Sequence, residues 1–211
     1  MLLSATSMIL ILIGDALSLW GILSLGISDL FLVFILLIIF HITLCALATR
    51  ILMLFFPIIE GEYAINSHEV GRWQAQAVVA LLSSIYFEPF VPYFLKPSWY
   101  RLFGAKIARG VNIGGKLVDC SLTELNSGSE VGYDAVVLGH GVAGGRCRIG
   151  RVVVGKNATI GARSLVFPGA KIGEGATIGA MSLVTSNQEV PPNEIWLGIP
   201  ARKFENKHKS I

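Results

Sequence analysis

Apolar residues follow two different patterns along this chain, and the change between them falls near its middle. Leu30 to Ala48 reads LFLVFILLIIFHITLCALA, with His41 as its only ionisable residue. At ~1.5 Å per residue, that run is long enough to cross a hydrocarbon core of ~30 Å. Met8 to Leu25 is a second apolar run, interrupted by Asp15, and Gly26 to Asp29 makes a short polar break between the two. The pattern predicts a transmembrane helical hairpin over residues 1–58. The first run has no basic residue ahead of it and another span follows at once, which argues against a cleaved signal peptide. Asp15 and His41 are ionisable groups at membrane depth, where charge is expensive. They form either a proton or substrate site, or a pair satisfied within the hairpin or at an oligomer axis.

Residues 59–103 read as an interfacial, connecting segment. Ala77 to Phe87 is apolar but too short to span, and Pro89, Pro92 and Pro97 interrupt regular helix. Trp73, Tyr86, Phe87, Phe90, Tyr93, Phe94, Trp99 and Tyr100 supply amphipathic rings of the kind that sit at a membrane surface. Packing against the next module explains the same rings equally well.

From residue 104 the apolar period becomes six. Val154, Ile160, Val166, Ile172, Ile178, Val184 and Val190 follow one another at that spacing, and Gly155, Gly161, Gly173 and Gly179 directly follow four of them. An earlier series runs Ile107, Ile113, Leu125, Val131, Val137 and Ile149, with Asp119 and Ala143 as imperfect members. The step from Ile149 to Val154 is five, so the register slips once, just after Arg148. A helix repeats at three and four, and a half-buried strand at two. Period six fits a coil in which each short strand points one branched side chain inward. The following Gly is expected in a turn conformation that a Cβ would penalise. Fifteen hexads at three per coil predict a mainly β fold, a parallel β-helix of about five coils over residues 104–200, followed by a basic C-terminal tail, 201–211.

The stretch VVVGKNATIGARSLVFPGAKIGEGATIGAMSLV resembles the hexapeptide-repeat acyltransferase superfamily, whose fold is a left-handed β-helix. The closing EVPPNEIWLGIPARKF is similar to that family's usual end. EGEY, an aromatic segment, YRLFGAKIARGVNIGG and VGYDAVVLGHGV, in that order, resemble the membrane-linked C-terminal domains of poly-lysine synthetase-type non-ribosomal peptide synthetases, a likeness covering residues 60 to 204. The resemblance implies a homotrimer with active sites in clefts between adjacent β-helices. It also implies a His acting as general base on a hydroxyl or amine that attacks an acyl thioester.

His140, in LGHGV, is the only His within the repeats. Imidazole suits proton transfer near neutral pH, and a positioned base contributes ~10²–10⁴ in rate. Gly139 and Gly141 flank it and would admit a ligand close to the backbone. Synthetase-type relatives often carry an acid three residues beyond this His, where this chain has Ala143. Glu124, Glu130 or Asp134 could orient the imidazole instead, and a solvated turn residue is the simpler reading of each. The donor implied is acyl-CoA or acetyl-CoA, or a carrier-protein phosphopantetheine thioester. Ala162 and Ala180, each after an Ile-Gly pair, stand where the pantetheine arm runs in the family. Arg202 and Lys203, after GIPA, could meet cofactor phosphates. Arg146, Arg148 and Arg151 could guide an anionic donor or touch lipid headgroups.

Charge sharpens this division. Only 15% of the 211 residues are charged against 53% hydrophobic, whereas soluble domains carry about 25% charged residues. Residues 1–100 hold three Lys/Arg and six Asp/Glu, a net of −3, and residues 101–211 hold fourteen and eight, a net of +6. The basic excess follows the second span, so the positive-inside tendency predicts an integral protein of a bacterial inner membrane with its β-helix facing the cytoplasm. Membrane lipid is then a partner. Nucleic acid is not, because clustered Lys/Arg with interleaved aromatics is missing. Cys45, Cys120 and Cys147 are widely spaced and suggest neither a disulfide framework nor a zinc site. One His in the repeats also argues against a three-ligand metal centre. A membrane-anchored acyltransferase is the expected function, with a non-catalytic β-helix scaffold as the alternative.

Overall fold

The structure, a computed structural model, describes residues 2–27 and 29–205, so the end of the expected basic tail, from residue 206, lies outside the described residues. The chain divides into two compact units. One comprises residues up to Ile59 together with Ala64–Val91, and the other Glu60–Tyr63 with the chain from Pro92 onward.

The first unit is helical: α1 (Leu2–Ser24), α2 (Leu30–Phe55) and α3 (His68–Phe87). Gly26, at φ 73°, ends the turn after α1, and the Asp29 side chain caps α2 by accepting the N–H groups of Phe31 (2.9 Å) and Leu32 (3.0 Å). Both α1 and α2 are long and apolar enough to cross a membrane. Asp15 and His41 meet each other, Oδ2 to Nδ1 at 2.8 Å, and the Cys45 thiol lies 3.5 Å from the other ring nitrogen. The expected connecting segment is different from its sequence reading. Its middle forms a 20-residue helix that packs on α1 and α2. Gln76 of α3 donates to the Phe56 carbonyl at the end of α2, 3.1 Å away. Weighed only as a span, Ala77 to Phe87 gave no sign of this helix, whose inward stripe includes Val70, Ala75, Val79 and the polar Gln76 and Ser83.

The second unit consists of very short strands in three parallel sheets, visited in turn as the chain advances. The first sheet stacks Lys106–Ile107, Thr123–Leu125, Val152–Val154, Lys171–Ile172 and Glu189–Val190. The second stacks Asn112–Ile113, Glu130–Val131, Thr159–Ile160, Thr177–Ile178 and Ile195–Leu197, closed by the antiparallel Arg202–Lys203. The third stacks Lys116–Leu117, Val136–Val137, Leu165–Val166 and Leu183–Val184. Ile160 pairs with Ile178 and Val166 with Val184, a step of eighteen residues and therefore of three hexads. All seven branched residues from Val154 to Val190 are buried.

The glycine after each branched residue serves a purpose other than the one expected. Gly155 and Gly161 do not adopt positive φ. A Cβ on Gly161 would instead lie 2.5 Å from the Ala180 backbone nitrogen of the next layer, and one on Gly155 2.6 Å from Glu174 N. Close stacking excludes the side chain. The left-handed residue comes three places after the branched one, at Asn157 (φ 53°), Arg163 (56°), Met181 (56°), Asn187 (57°) and Asn193 (60°), and Asn is the best tolerated non-glycine residue there.

At its start the stack is closed by α4 (Lys96–Leu102), which buries Trp99 and Tyr100, followed by the buried Phe103. Tyr100 Oη accepts the Leu117 N–H at 3.3 Å. Tyr93 and Phe94, by contrast, are exposed, so the aromatic segment is part core and part surface.

Candidate functional site

The hexad register fails at two places, and the two failures meet in space. From Leu125 to its partner Val154 the first sheet takes twenty-nine residues instead of eighteen. The additional length is an antiparallel hairpin, His140–Ala143 with Arg146–Ile149. Its two-residue loop is Gly144-Gly145, both at positive φ (55° and 72°), the backbone that a tight hairpin requires. Ala143 and Ile149, counted in the periodic series, therefore belong to this hairpin and not to the parallel sheets. The other failure is Asp119. The third sheet takes Leu117 as its inward residue, and the chain then turns through a short 3₁₀ segment, Cys120–Leu122. This turn lifts Asp119 out of the strand position that its spacing suggested.

Asp119 and His140 form a hydrogen-bonded pair. His140 Nδ1 lies 2.7 Å from Asp119 Oδ2, and the same oxygen accepts the Gly139 N–H at 2.8 Å. Oδ2 is thus the acceptor, so the proton of the neutral ring sits on Nδ1 and Nε2 is its basic nitrogen. The Asp119 side chain is 2% exposed and that of His140 24%, a buried acid orienting a base that solvent reaches. Gly139 is needed here for packing, since a Cβ would lie 2.6 Å from Leu122 Cβ and 2.9 Å from Asp119 Cβ. At Gly141 a Cβ would make only ordinary contacts, the nearest 3.6 Å from Pro168. The three carboxylates weighed as partners of His140 engage other groups. Glu124 pairs with Lys106 at 3.9 Å, Glu130 accepts from Asn112 at 3.5 Å, and Asp134 faces Arg163 at 3.5 Å. Cys147, buried in the returning strand, has its thiol pKa pushed up, first by burial and then by the negative charge of Asp119.

The expected donor-side residues fall into separate groups. Ala162 and Ala180 occupy the corner after the second sheet, one layer apart, with Met181 N donating to Ala162 O at 2.9 Å. His140, by contrast, leaves the corner after the third sheet. Arg202 and Lys203 lie in the closing antiparallel strand, where Lys203 pairs with Glu194 at 2.6 Å. Among the described residues no group of three or more His, Cys, Asp or Glu is placed to hold a metal ion.

A stack of this kind has counterparts among solved structures. A maltose O-acetyltransferase from Clostridium difficile 630 aligns over 75% of this chain and 96% of its own, with a TM-score of 0.51 and 16% identity. The likeness is one of fold. A galactoside acetyltransferase in complex with coenzyme A aligns over 69% of this chain and 86% of its own at 16% identity and a TM-score of 0.49. An N-acyltransferase from Bacillus cereus, in complex with dTDP and coenzyme A, aligns at 25% identity and a TM-score of 0.37 over 46% of this chain. This chain spans 56% of that protein's length. No protein-family model matches the chain, and no curated protein matches it in sequence.

Beside the His140 strand lies an open cleft of about 300 Å³, lined by Gly141, Val142, Ala143, Phe167, Ser186, Arg146, Arg148 and Glu62. The three arginines proposed for an anionic ligand are engaged by the Glu60–Tyr63 segment. Glu62 takes Arg146 Nε at 2.8 Å and Arg148 Nη2 at 2.6 Å. Glu60 takes the Arg151 N–H at 2.8 Å and stands 3.4 Å from its guanidinium. Arg148, and after it Arg146, hold the Glu62 carboxyl below the usual carboxylate range. EGEY entered the sequence reading only through a resemblance, and its pairing with these arginines was not legible there, since nothing local relates residue 62 to residue 148.

Proposed function

We propose that this chain is a membrane-anchored acyltransferase in which His140 is the general base and Asp119 its orienting acid. In this reading the second unit is a left-handed β-helix of the hexapeptide-repeat kind, working as a homotrimer on the cytoplasmic face of the membrane that α1 and α2 cross. The donor is a thioester, acyl-CoA or a carrier-protein phosphopantetheine. Nε2 of His140 takes the proton from an acceptor hydroxyl or amine as its oxygen or nitrogen attacks the thioester carbonyl. The C–S bond then breaks, and the thiol leaves with the proton returned by the imidazolium. Asp119, one hydrogen bond behind the ring, stabilises the imidazolium between those two transfers. Ala162 and Ala180 are assigned to the pantetheine arm, and Arg202 with Lys203 to the donor phosphates.

The observation that carries the reading is the 2.7 Å contact between a nearly sealed carboxylate and a solvent-reached imidazole, on a hairpin projecting from a rigid stack. A solvated surface His has no need of a buried acid. Reconstituting the full chain in lipid vesicles and supplying acyl-labelled CoA tests it. Label transferred to a lipid-phase or aqueous acceptor, and lost in His140→Ala, supports acyl transfer. Equal transfer by both proteins removes His140 as the base, and transfer no faster than in protein-free vesicles across a panel of hydroxyl and amine acceptors favours the scaffold.

A further inference from the structure

We propose that Glu62 is a positioning residue, holding the hairpin that carries His140 in register; this rests on the acyl-transfer reading. A two-stranded ribbon is at best marginally stable in water, and the His140–Ile149 hairpin is such a ribbon, projecting from the sheets. Gly61–Ala64 turns it into a three-stranded sheet by lying along the outer side of Arg146–Ile149, the middle strand, which pairs directly with the His140 strand. Its charges reinforce the ladder. Glu62 bridges Arg146 and Arg148, side chains two apart that share one face of the returning strand, and its own carbonyl accepts from Arg146 Nη2 at 3.3 Å. His140 pairs with Ile149 and Gly141 with Arg148, so any slip of the returning strand passes to the imidazole through the ladder. A slip of one residue would reverse every side chain of that strand.

Exposed ion pairs are individually weak. Here one carboxylate serves two guanidiniums, Glu60 fixes Arg151 just beyond, and the same segment supplies a strand. Arg151 Nη1 in turn donates to Ser121 O at 3.1 Å, two residues from Asp119, so the clamp reaches both halves of the His140–Asp119 pair.

The test uses the full chain in lipid vesicles, with turnover of an acyl-CoA and hydrogen exchange of residues 140–149 read side by side. Glu62→Gln should lower kcat on the order of ten-fold with the donor KM unchanged. It should speed exchange in the hairpin and leave the parallel sheets as protected as before. Salt should lower the wild-type kcat toward that of Glu62→Gln while leaving the variant unaffected, because exposed pairs are screened. Should Glu62→Gln fail to fold, Glu62→Asp keeps the charge on a shorter stem and should fall between the two. Wild-type kcat and wild-type exchange in Glu62→Gln, with His140→Ala inactive, would overturn the positioning role alone. Lost kcat without faster hairpin exchange would overturn it too, by placing Glu62 on the substrate. Unchanged turnover in His140→Ala would overturn the acyl-transfer reading itself.

Discussion

Replacing Asp119 by Asn keeps the shape of the side chain and removes the charge behind His140. The amide oxygen can still accept the Gly139 N–H, now 2.8 Å from Oδ2, so the buried turn keeps its partner. The hydrogen bond to the ring, 2.7 Å in the native protein, keeps an acceptor but loses the carboxylate charge that faces the imidazolium. Hydrogen bonds to charged groups are worth about 1.5–3 kcal/mol, and about 1.4 kcal/mol is a factor of ten in rate. The expected loss in kcat is therefore roughly ten- to one-hundred-fold, with donor KM and thermal midpoint little altered. Asp119→Ala goes further, leaving a buried N–H unpaired and costing about 1–3 kcal/mol of stability besides. Steady-state release of coenzyme A thiol gives the rates, and calorimetry or circular dichroism melting the stability. If Asp119→Asn turns over at the wild-type rate while His140→Ala is inactive, the buried acid is not what orients or stabilises the base.

Other consequences follow from the same geometry. Gly161→Ala places a methyl 2.5 Å from the Ala180 nitrogen and should cost about 1–3 kcal/mol in urea unfolding; an unchanged midpoint would contradict close stacking. Cys147, buried and with its pKa raised, should resist alkylation by iodoacetamide at neutral pH in the native protein and react on denaturation. Peptide mass spectrometry reads both states, and rapid native labelling would show that the returning strand is open. Glu62 has a folded pKa below its unfolded one, so its contribution to stability is present above the ordinary carboxylate range and fades as pH falls through the lowered value. Hydrogen exchange of residues 140–149, corrected for intrinsic rates, should hold steady down to that range and rise below it. A hairpin equally protected throughout would show that the ionised carboxylate is not part of the clamp.

Periodicity was a sound guide wherever the environment itself repeats. The inward positions from Val154 to Val190 see the same neighbours every eighteen residues, so branched apolar residues recur there and the sheets were legible. What the period explained less well was the reason for its glycines, because close approach between layers has no signature distinct from a strained turn. The site lies where repetition stops. Asp119 looked like a poor apolar position, and its placement depends on the turn at Cys120–Leu122. Gly144-Gly145 between VA and RC is a hairpin signal in its own right. Counting hexads straight through it concealed the hairpin and placed Ala143 and Ile149 among the coils. His140 was legible as a candidate because it stands alone in the repeats, but its hydrogen-bond partner Asp119 is twenty-one residues away and could be found only through the fold. Asp15 and His41 do meet, as a pair between the two helices of one hairpin.

The central claim is that a carboxylate-oriented imidazole drives acyl transfer from a thioester. Turnover of acyl-CoA by the vesicle-embedded protein, compared with His140→Gln at saturating donor, tests it most directly. In His140→Gln, kcat should fall by about 10²–10⁴ while coenzyme A still binds with its wild-type Kd. Equal turnover by the two proteins would contradict it.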